Sequence, residues 1–252
     1  MTRFPRLALV DWGIGGLGVR AALATVAPGA SVAYWSDTEA VPYGKLSRPA
    51  LVRRLASVVD ALARRGAKEV FLACNAASTV LPGRPRFALP TRGMIEPAVA
   101  CVDATIARRI GLVGGARTIR SGVFRRALAT RHRVVMQRIA QPVSAAVEAG
   151  LADHESTRAL VHAIVAPLAG IDALLLACTH YPAAILAFEL ALPGVMMLDP
   201  APHAARLLAP CVGDRTGEDV LLTTGDPSAM RKGARSAFGL ELGEITRVSL
   251  DD

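Results

Sequence analysis

Two cysteines stand at matching places in this chain. Leu174-Leu175-Leu176-Ala177-Cys178-Thr179-His180-Tyr181-Pro182 and Val70-Phe71-Leu72-Ala73-Cys74-Asn75-Ala76-Ala77-Ser78 are both short apolar runs that end in Ala-Cys and continue into small polar residues. Two thiols on opposite faces of one carbon can take a proton from one side and return another from the opposite side. That task needs one thiolate and one thiol. A free cysteine titrates at about 8.5, so helix N-termini and ionisable neighbours must poise it. Asp11, expected beside Cys74 on an adjacent strand end, and His180, two residues after Cys178, are the expected proton partners. Taken singly, each cysteine would read as an inert buried hydrophobe; duplication at matched strand ends favours catalysis.

The elements that must hold these residues follow from the apolar pattern. A continuous apolar run of four or five residues is the signature of a strand buried on both faces, as in a parallel sheet. The interval from Cys74 to Cys178 matches, within one residue, that from Asp11 to Gly114, the junctions after the runs Leu7–Val10 and Gly111–Val113. The chain therefore reads as two pseudo-symmetric α/β domains, each built on a parallel sheet, with the active site in the cleft between them. The expected strands are Leu7–Val10, Ser31–Ser36, the run before Cys74, Ile110–Val113, Val134–Ile139, the run before Cys178, Val195–Leu198 and Val220–Thr223. Helices are expected up to Val26 and over Arg48–Arg65, Ile119–Leu128, Ser144–Ala149, Glu155–Leu168, His203–Leu208 and Pro227–Phe238, with Leu81–Pro90 as a connector. In parallel α/β sheets the reactive loops lie at the carboxyl ends of the strands, where Asp11, Asp37 and Cys74 all fall.

The loop Asp11-Trp12-Gly13-Ile14-Gly15-Gly16-Leu17-Gly18 has two readings. Gly13-x-Gly15-x-x-Gly18 between a strand and a helix, with Asp37 after the next strand, fits a dinucleotide fingerprint and would make the protein an NAD(P)-binding oxidoreductase. Asp11 directly before the glycines would then place a carboxylate against the pyrophosphate, and the paired cysteines would have no role. The preferred reading is a tight turn that brings backbone amides close to a small ligand, with Asp11 beside the cleft and also able to cap the helix.

Composition narrows the classes further. The chain has 252 residues, enough for two small cores, with 52% hydrophobic residues and only 4% aromatics. The most apolar long stretch, Ala183–Leu198, is broken by Glu189 and Pro193, and Leu7–Val10 is followed at once by Asp11, so neither a membrane span nor a signal peptide is expected. Four cysteines without close pairing point to a reducing cytoplasm, and Cys178-x-His180 alone is no zinc signature, so no metal is expected. The formal charge of +8 comes mostly from scattered arginine pairs with no aromatic platform, so nucleic acid is not an expected partner, whereas small acidic ligands would be attracted.

With those motifs in view, the chain resembles the aspartate/glutamate racemase superfamily, and its glutamate racemases most closely. The likeness runs through Asp11-x-Gly13-x-Gly15-Gly16-Leu17, Ser36-Asp37-Thr38, Val41-Pro42-Tyr43-Gly44, Ala73-Cys74-Asn75-x-Ala77-Ser78, Gly93-Met94-Ile95-Glu96-Pro97, Val147-Glu148-x-Gly150, Cys178-Thr179-His180-Tyr181-Pro182 and Thr224-Gly225-Asp226-Pro227. The resemblance implies a first domain of residues 1–95 and 203–252 and a second of residues 96–202. It implies a cofactor-independent two-base racemase or epimerase acting at the Cα of an amino acid, a small-molecule substrate, in the supply of peptidoglycan precursors. Cys74 and Cys178 would be the two bases, assisted by Asp11 and His180. Tyr43, Gly44, Asn75 and Thr179 would hold the substrate, with Asp37 and Glu148 as further acidic groups. A homodimer is the expected assembly. None of the three lysines (Lys45, Lys68, Lys232) sits in a recognisable Schiff-base setting.

The chain departs from that pattern at the ligand's side of the cleft. Trp12 stands where the family carries serine, Ala76 where it carries threonine, and Gly115 follows Gly114 where the family has Gly-Thr. Each lost hydrogen bond to a charged group costs about 1.5–3 kcal/mol. Three outcomes are open: a slow glutamate racemase with Trp12 turned outward, an enzyme with a reshaped pocket and altered substrate preference, or a catalytically weak homologue with a binding or regulatory role, for example toward DNA gyrase, which some glutamate racemases inhibit.

Overall fold

The computed structural model describes residues 4–130, 132–212 and 218–250. It contains two sheets, each parallel throughout. The strands are β1 (Leu7–Asp11), β2 (Ala33–Ser36), β3 (Glu69–Leu72), β4 (Thr91–Gly93), β5 (Arg109–Gly114), β6 (Val134–Ile139), β7 (Ala173–Ala177), β8 (Met196–Leu198), β9 (Val220–Thr223) and β10 (Ile245–Arg247). The first sheet runs β10-β9-β2-β1-β3-β4 and the second β6-β5-β7-β8. In register, Asp11 lies opposite Ser36 on one side of β1, and Val10 opposite Leu72 on the other. Gly114 lies opposite Ala177.

The central strands β1 and β7 are buried along their whole length, which is why both read as unbroken apolar runs. Alternate residues serve two layers. Leu7, Leu9, Tyr34 and Phe71 of the first sheet share one core with Ile110, Leu112, Ala173 and Leu175 of the second, through Leu17, Leu23, Val102, Ala204 and Leu208 of the helices between them. On the outer faces, Ala8, Val10, Trp35 and Leu72 pack on Leu51, Leu55, Val58 and Leu62. Leu174 and Leu176 pack on Val147, Val161, Val165 and Phe188. Among the described residues, no helix is long and apolar enough to cross a membrane.

Local chemistry explains most boundaries. The helix Arg48–Arg65 begins where the Ser47 hydroxyl accepts from Ala50 N–H and Pro49 fills the first turn; it ends at Gly66, whose φ of 108° suits glycine. Pro227–Phe238 starts at an Asp226 cap. The expected helix Ile119–Leu128 is instead two, Ala116–Arg120 and Val123–Leu128, because Gly122 takes φ 66° between them. The strands β4 and β10 were not anticipated; each is a three-residue edge strand with no apolar run of its own. The helices Ile95–Asp103 and Ile185–Ala191 were likewise not anticipated.

Candidate active site

A cavity of about 630 Å³ opens at the carboxyl ends of the two sheets. The strand ends deliver its walls: Asp11 and Trp12 after β1, Cys74, Asn75 and Ala76 after β3, Gly115 and Thr118 after β5, Gln141 and Ser144 after β6, and Cys178, Thr179 and His180 after β7. Tyr43, Gly44 and Lys45 also line it, as do Glu148 at the end of the helix Gln141–Glu148 and its cap residue Ala149. Both thiols therefore line one space, each contributed by a different sheet. All four cysteines are free.

On the Cys74 side, Asp11 is almost wholly buried. Its Oδ1 accepts from Trp12 N–H at 2.7 Å, and its Oδ2 from Gly16 N–H at 2.5 Å and the Thr179 hydroxyl at 3.0 Å. Burial raises the Asp11 pKa, and the charge of His180 and the hydrogen bond from the Cys74 thiol oppose that rise. Burial, and then the Asp11 charge, push the Cys74 thiol well above its ordinary value, although the Ala77 amide pulls the other way. Cys74 thus rests as a proton donor. On the other side, His180 bridges Cys178 and Glu148: its Nδ1 lies 3.8 Å from Cys178 Sγ and its Nε2 2.5 Å from Glu148 Oε1. Burial disfavours the imidazolium, and the partners Cys178 and Glu148 outweigh it, leaving the His180 pKa well above the usual imidazole value. His180 and Asp11 can therefore relay protons to the two sulfurs.

The glycine loop has a packing reason. A Cβ on Gly13 would stand 2.5 Å from Glu148 Oε1; one on Gly15 would collide with the Thr179 hydroxyl and come within 2.8 Å of His180 Nδ1. The glycines thus admit the side chains of the opposite sheet, and Asp11 holds the Gly16 amide. That leaves the position of a pyrophosphate filled by protein carboxylates, against the dinucleotide reading. Gly15→Ala should lower stability by about 1–3 kcal/mol through overpacking and reduce kcat/KM with it. Urea unfolding checks the first part, and an unchanged midpoint would count against this fit.

The remaining expected residues divide. Tyr43, Gly44, Asn75, Ala76, Thr179 and Glu148 line the cavity. Asn75 is 3% exposed and its Oδ1 has no protein partner. Trp12 lines the cavity rather than turning outward, pinned by an indole N–H bond of 2.8 Å to the Ala40 carbonyl. Asp37, expected as a further acidic group, is not among the cavity-lining residues: it is fully buried, gripped by Arg54 and bonded by the Tyr43 hydroxyl at 2.7 Å and the Thr224 hydroxyl at 3.2 Å. It supports Tyr43 from behind and does not face a ligand. Lys45, Thr118, Gln141 and Ser144 were missed. Gln141 lies two residues past the end of β6 and Thr118 in the first turn of the helix Ala116–Arg120 that follows β5, so the strand-end rule that found Cys74 could have found them.

Comparison with known proteins agrees with this geometry. Residues 19–208 match the family described as Asp/Glu/Hydantoin racemase. A glutamate racemase of Deinococcus radiodurans is 36% identical over 251 residues, spanning 90% of this chain and 86% of that protein. One from Thermus thermophilus is 33% identical over 258 residues, spanning 98% and 97%. The crystal structure of a Thermus thermophilus glutamate racemase in complex with beta-chloro-D-alanine superposes with a TM-score of 0.87 at 31% identity, covering 99% of this chain and 98% of that one. An isoform from Bacillus anthracis gives 0.89 at 25% identity, covering 98% of each. With this fold and a cavity between two parallel sheets, the chain belongs to the Asp/Glu/hydantoin racemase family and is an amino-acid racemase of the glutamate-racemase type.

Proposed function

We propose that the enzyme inverts the Cα of an amino acid by a two-base reaction between Cys74 and Cys178, without a bound cofactor. The observation that carries this reading is the single cavity lined by both thiols, each with its own proton partner. One sulfur, as thiolate, takes the Cα proton and becomes a thiol. The electron pair left on Cα is delocalised into the substrate carboxylate. The opposite thiol then gives its proton to the other face, forming the new C–H bond and leaving a thiolate there. The two sulfurs end with exchanged protonation, and Asp11 and the His180–Glu148 pair restore the starting state with solvent.

With no electron sink on the amino group, the carbanion depends on donors around the carboxylate. Asn75, Thr118 and the backbone at Gly115 and Thr179 serve that end. Glutamate, the substrate named for the relatives, is the reference compound. The two-domain division falls at 95/96 and 202/203, supported by the sheet membership of the strands. The enzyme works in the cytoplasm, which the four free thiols suit, and as a homodimer, for which exposed Leu186 and Leu190, one turn apart, offer an apolar face. In deuterated water, without added pyridoxal phosphate, deuterium should enter Cα in step with loss of optical activity. Absence of exchange with every acidic and neutral amino acid tried would sink the proposal.

A further inference from the structure

We infer that this enzyme prefers an α-amino acid with an uncharged, apolar side chain, and that Trp12 sets the preference. The inference rests on the racemase reading above and specifies its substrate class. Trp12 lines the cavity, yet it has no donor to offer a ligand. Its indole N–H is held by the Ala40 carbonyl at 2.8 Å and its backbone N–H by Asp11 Oδ1 at 2.7 Å. With both N–H groups engaged, Trp12 adds bulk and no free donor to the lining.

The rest of the lining repeats the pattern. Ala76 presents a methyl group and Gly115 no side chain. Gln141 accepts from Ala116 N–H through Oε1 and donates to the Ser144 hydroxyl through Nε2, and that hydroxyl donates to the Gln141 carbonyl. The Tyr43 hydroxyl donates to Asp37, and the Thr179 hydroxyl to Asp11. These polar side chains around the cavity are thus directed into the protein.

A second carboxylate would find no side-chain hydroxyl at positions 12, 76 or 115 and would rely on the backbone at Tyr43-Gly44 and on Lys45 to replace its water, whereas a neutral side chain requires no donor. The groups that still face the cavity suit the parts common to all α-amino acids. The part-exposed Glu148 carboxylate can accept from the ammonium; Thr118 and the exposed Lys45 at the rim can offer donors to the α-carboxylate. Lys45 is the one lysine or arginine among the lining residues, and the rival it defines, a side-chain carboxylate held at the rim, is an outcome of the test.

The full-length enzyme is assayed by Cα deuterium exchange and polarimetry with both enantiomers of alanine, leucine, methionine, phenylalanine, aspartate and glutamate. At least one apolar amino acid should exceed glutamate in kcat/KM by tenfold or more. Trp12→Ser should lower that apolar value and raise the glutamate value, each about tenfold, while Trp12→Phe should keep the wild-type order. Should Trp12→Ser fail to fold, the wild-type panel and Trp12→Phe still decide. Glutamate turned over as fast as every apolar substrate would overturn the inference and leave the racemase reading standing. Exchange with none would overturn both. An unchanged order in Trp12→Ser would overturn the assignment to Trp12.

Discussion

Cys178→Ser abolishes the interconversion of enantiomers but leaves one stereoisomer able to exchange its Cα proton with solvent, and Cys74→Ser does the same for the other. The reasoning is that each sulfur serves one face. Without the opposite acid, the remaining thiolate can still remove a proton and return a deuteron to the same side, so exchange survives while inversion fails. A serine hydroxyl is far too weak an acid to substitute, and loss of a positioned acid–base group lowers the rate by about 10²–10⁴-fold. The pH dependence has a definite sign. Burial and the Asp11 charge raise the Cys74 pKa, and only its deprotonated form acts as a base. The exchange that survives in Cys178→Ser should therefore climb with pH through and beyond the ordinary thiol range. Proton NMR in deuterated water with each pure enantiomer measures both effects; wild-type racemisation in either variant would contradict the two-base assignment.

Arg54→Leu produces the largest expected loss of stability. Asp37 has no solvent exposure, and Arg54 grips it bidentately, Nε to Oδ2 at 2.8 Å and Nη2 to Oδ1 at 2.5 Å. Removing the guanidinium strands a buried carboxylate, which costs about 3–5 kcal/mol. For a chain of this size that lowers the melting temperature by about 6–20 °C. Asp37→Asn should be milder, because no buried charge is stranded: the one amide oxygen still accepts from either Tyr43 or Thr224, which donate to different oxygens of Asp37, and the Arg54 side chain, 24% exposed, can reach water. Since Tyr43 lines the cavity, kcat/KM should fall together with stability in Arg54→Leu. Calorimetry of the two variants decides the matter; equal melting temperatures would remove Asp37–Arg54 as the anchor of Tyr43.

What could be read from the residues alone follows from how local each signal is. The runs ending at Cys74 and Cys178 carry their own evidence, because strands buried on both faces must be apolar throughout. Ser47, Pro49 and Gly66 bracket one helix without help from the rest of the chain. Asp37 shows the opposite case. Its place after β2 puts it at the reactive edge, but its partner sits on a helix seventeen residues further on, and only folding reveals that the carboxylate is taken. Trp12 was visible as a departure; the direction of its ring, fixed by the Ala40 carbonyl, was not. Edge strands such as Thr91–Gly93 and Ile245–Arg247 escape notice because three residues of mixed polarity carry too little pattern.

The loop after β1 divides its labour residue by residue. Positions 13 and 15 meet Glu148, Thr179 and His180 of the opposite half, and any side chain added there would dislodge them. Position 12 instead packs within its own half, against the layer that holds Ala40 and Leu46. A lineage can therefore exchange the residue at 12 and drift toward new amino acids while the fit between the halves, and with it the opposed thiols, passes unaltered from ancestor to descendant.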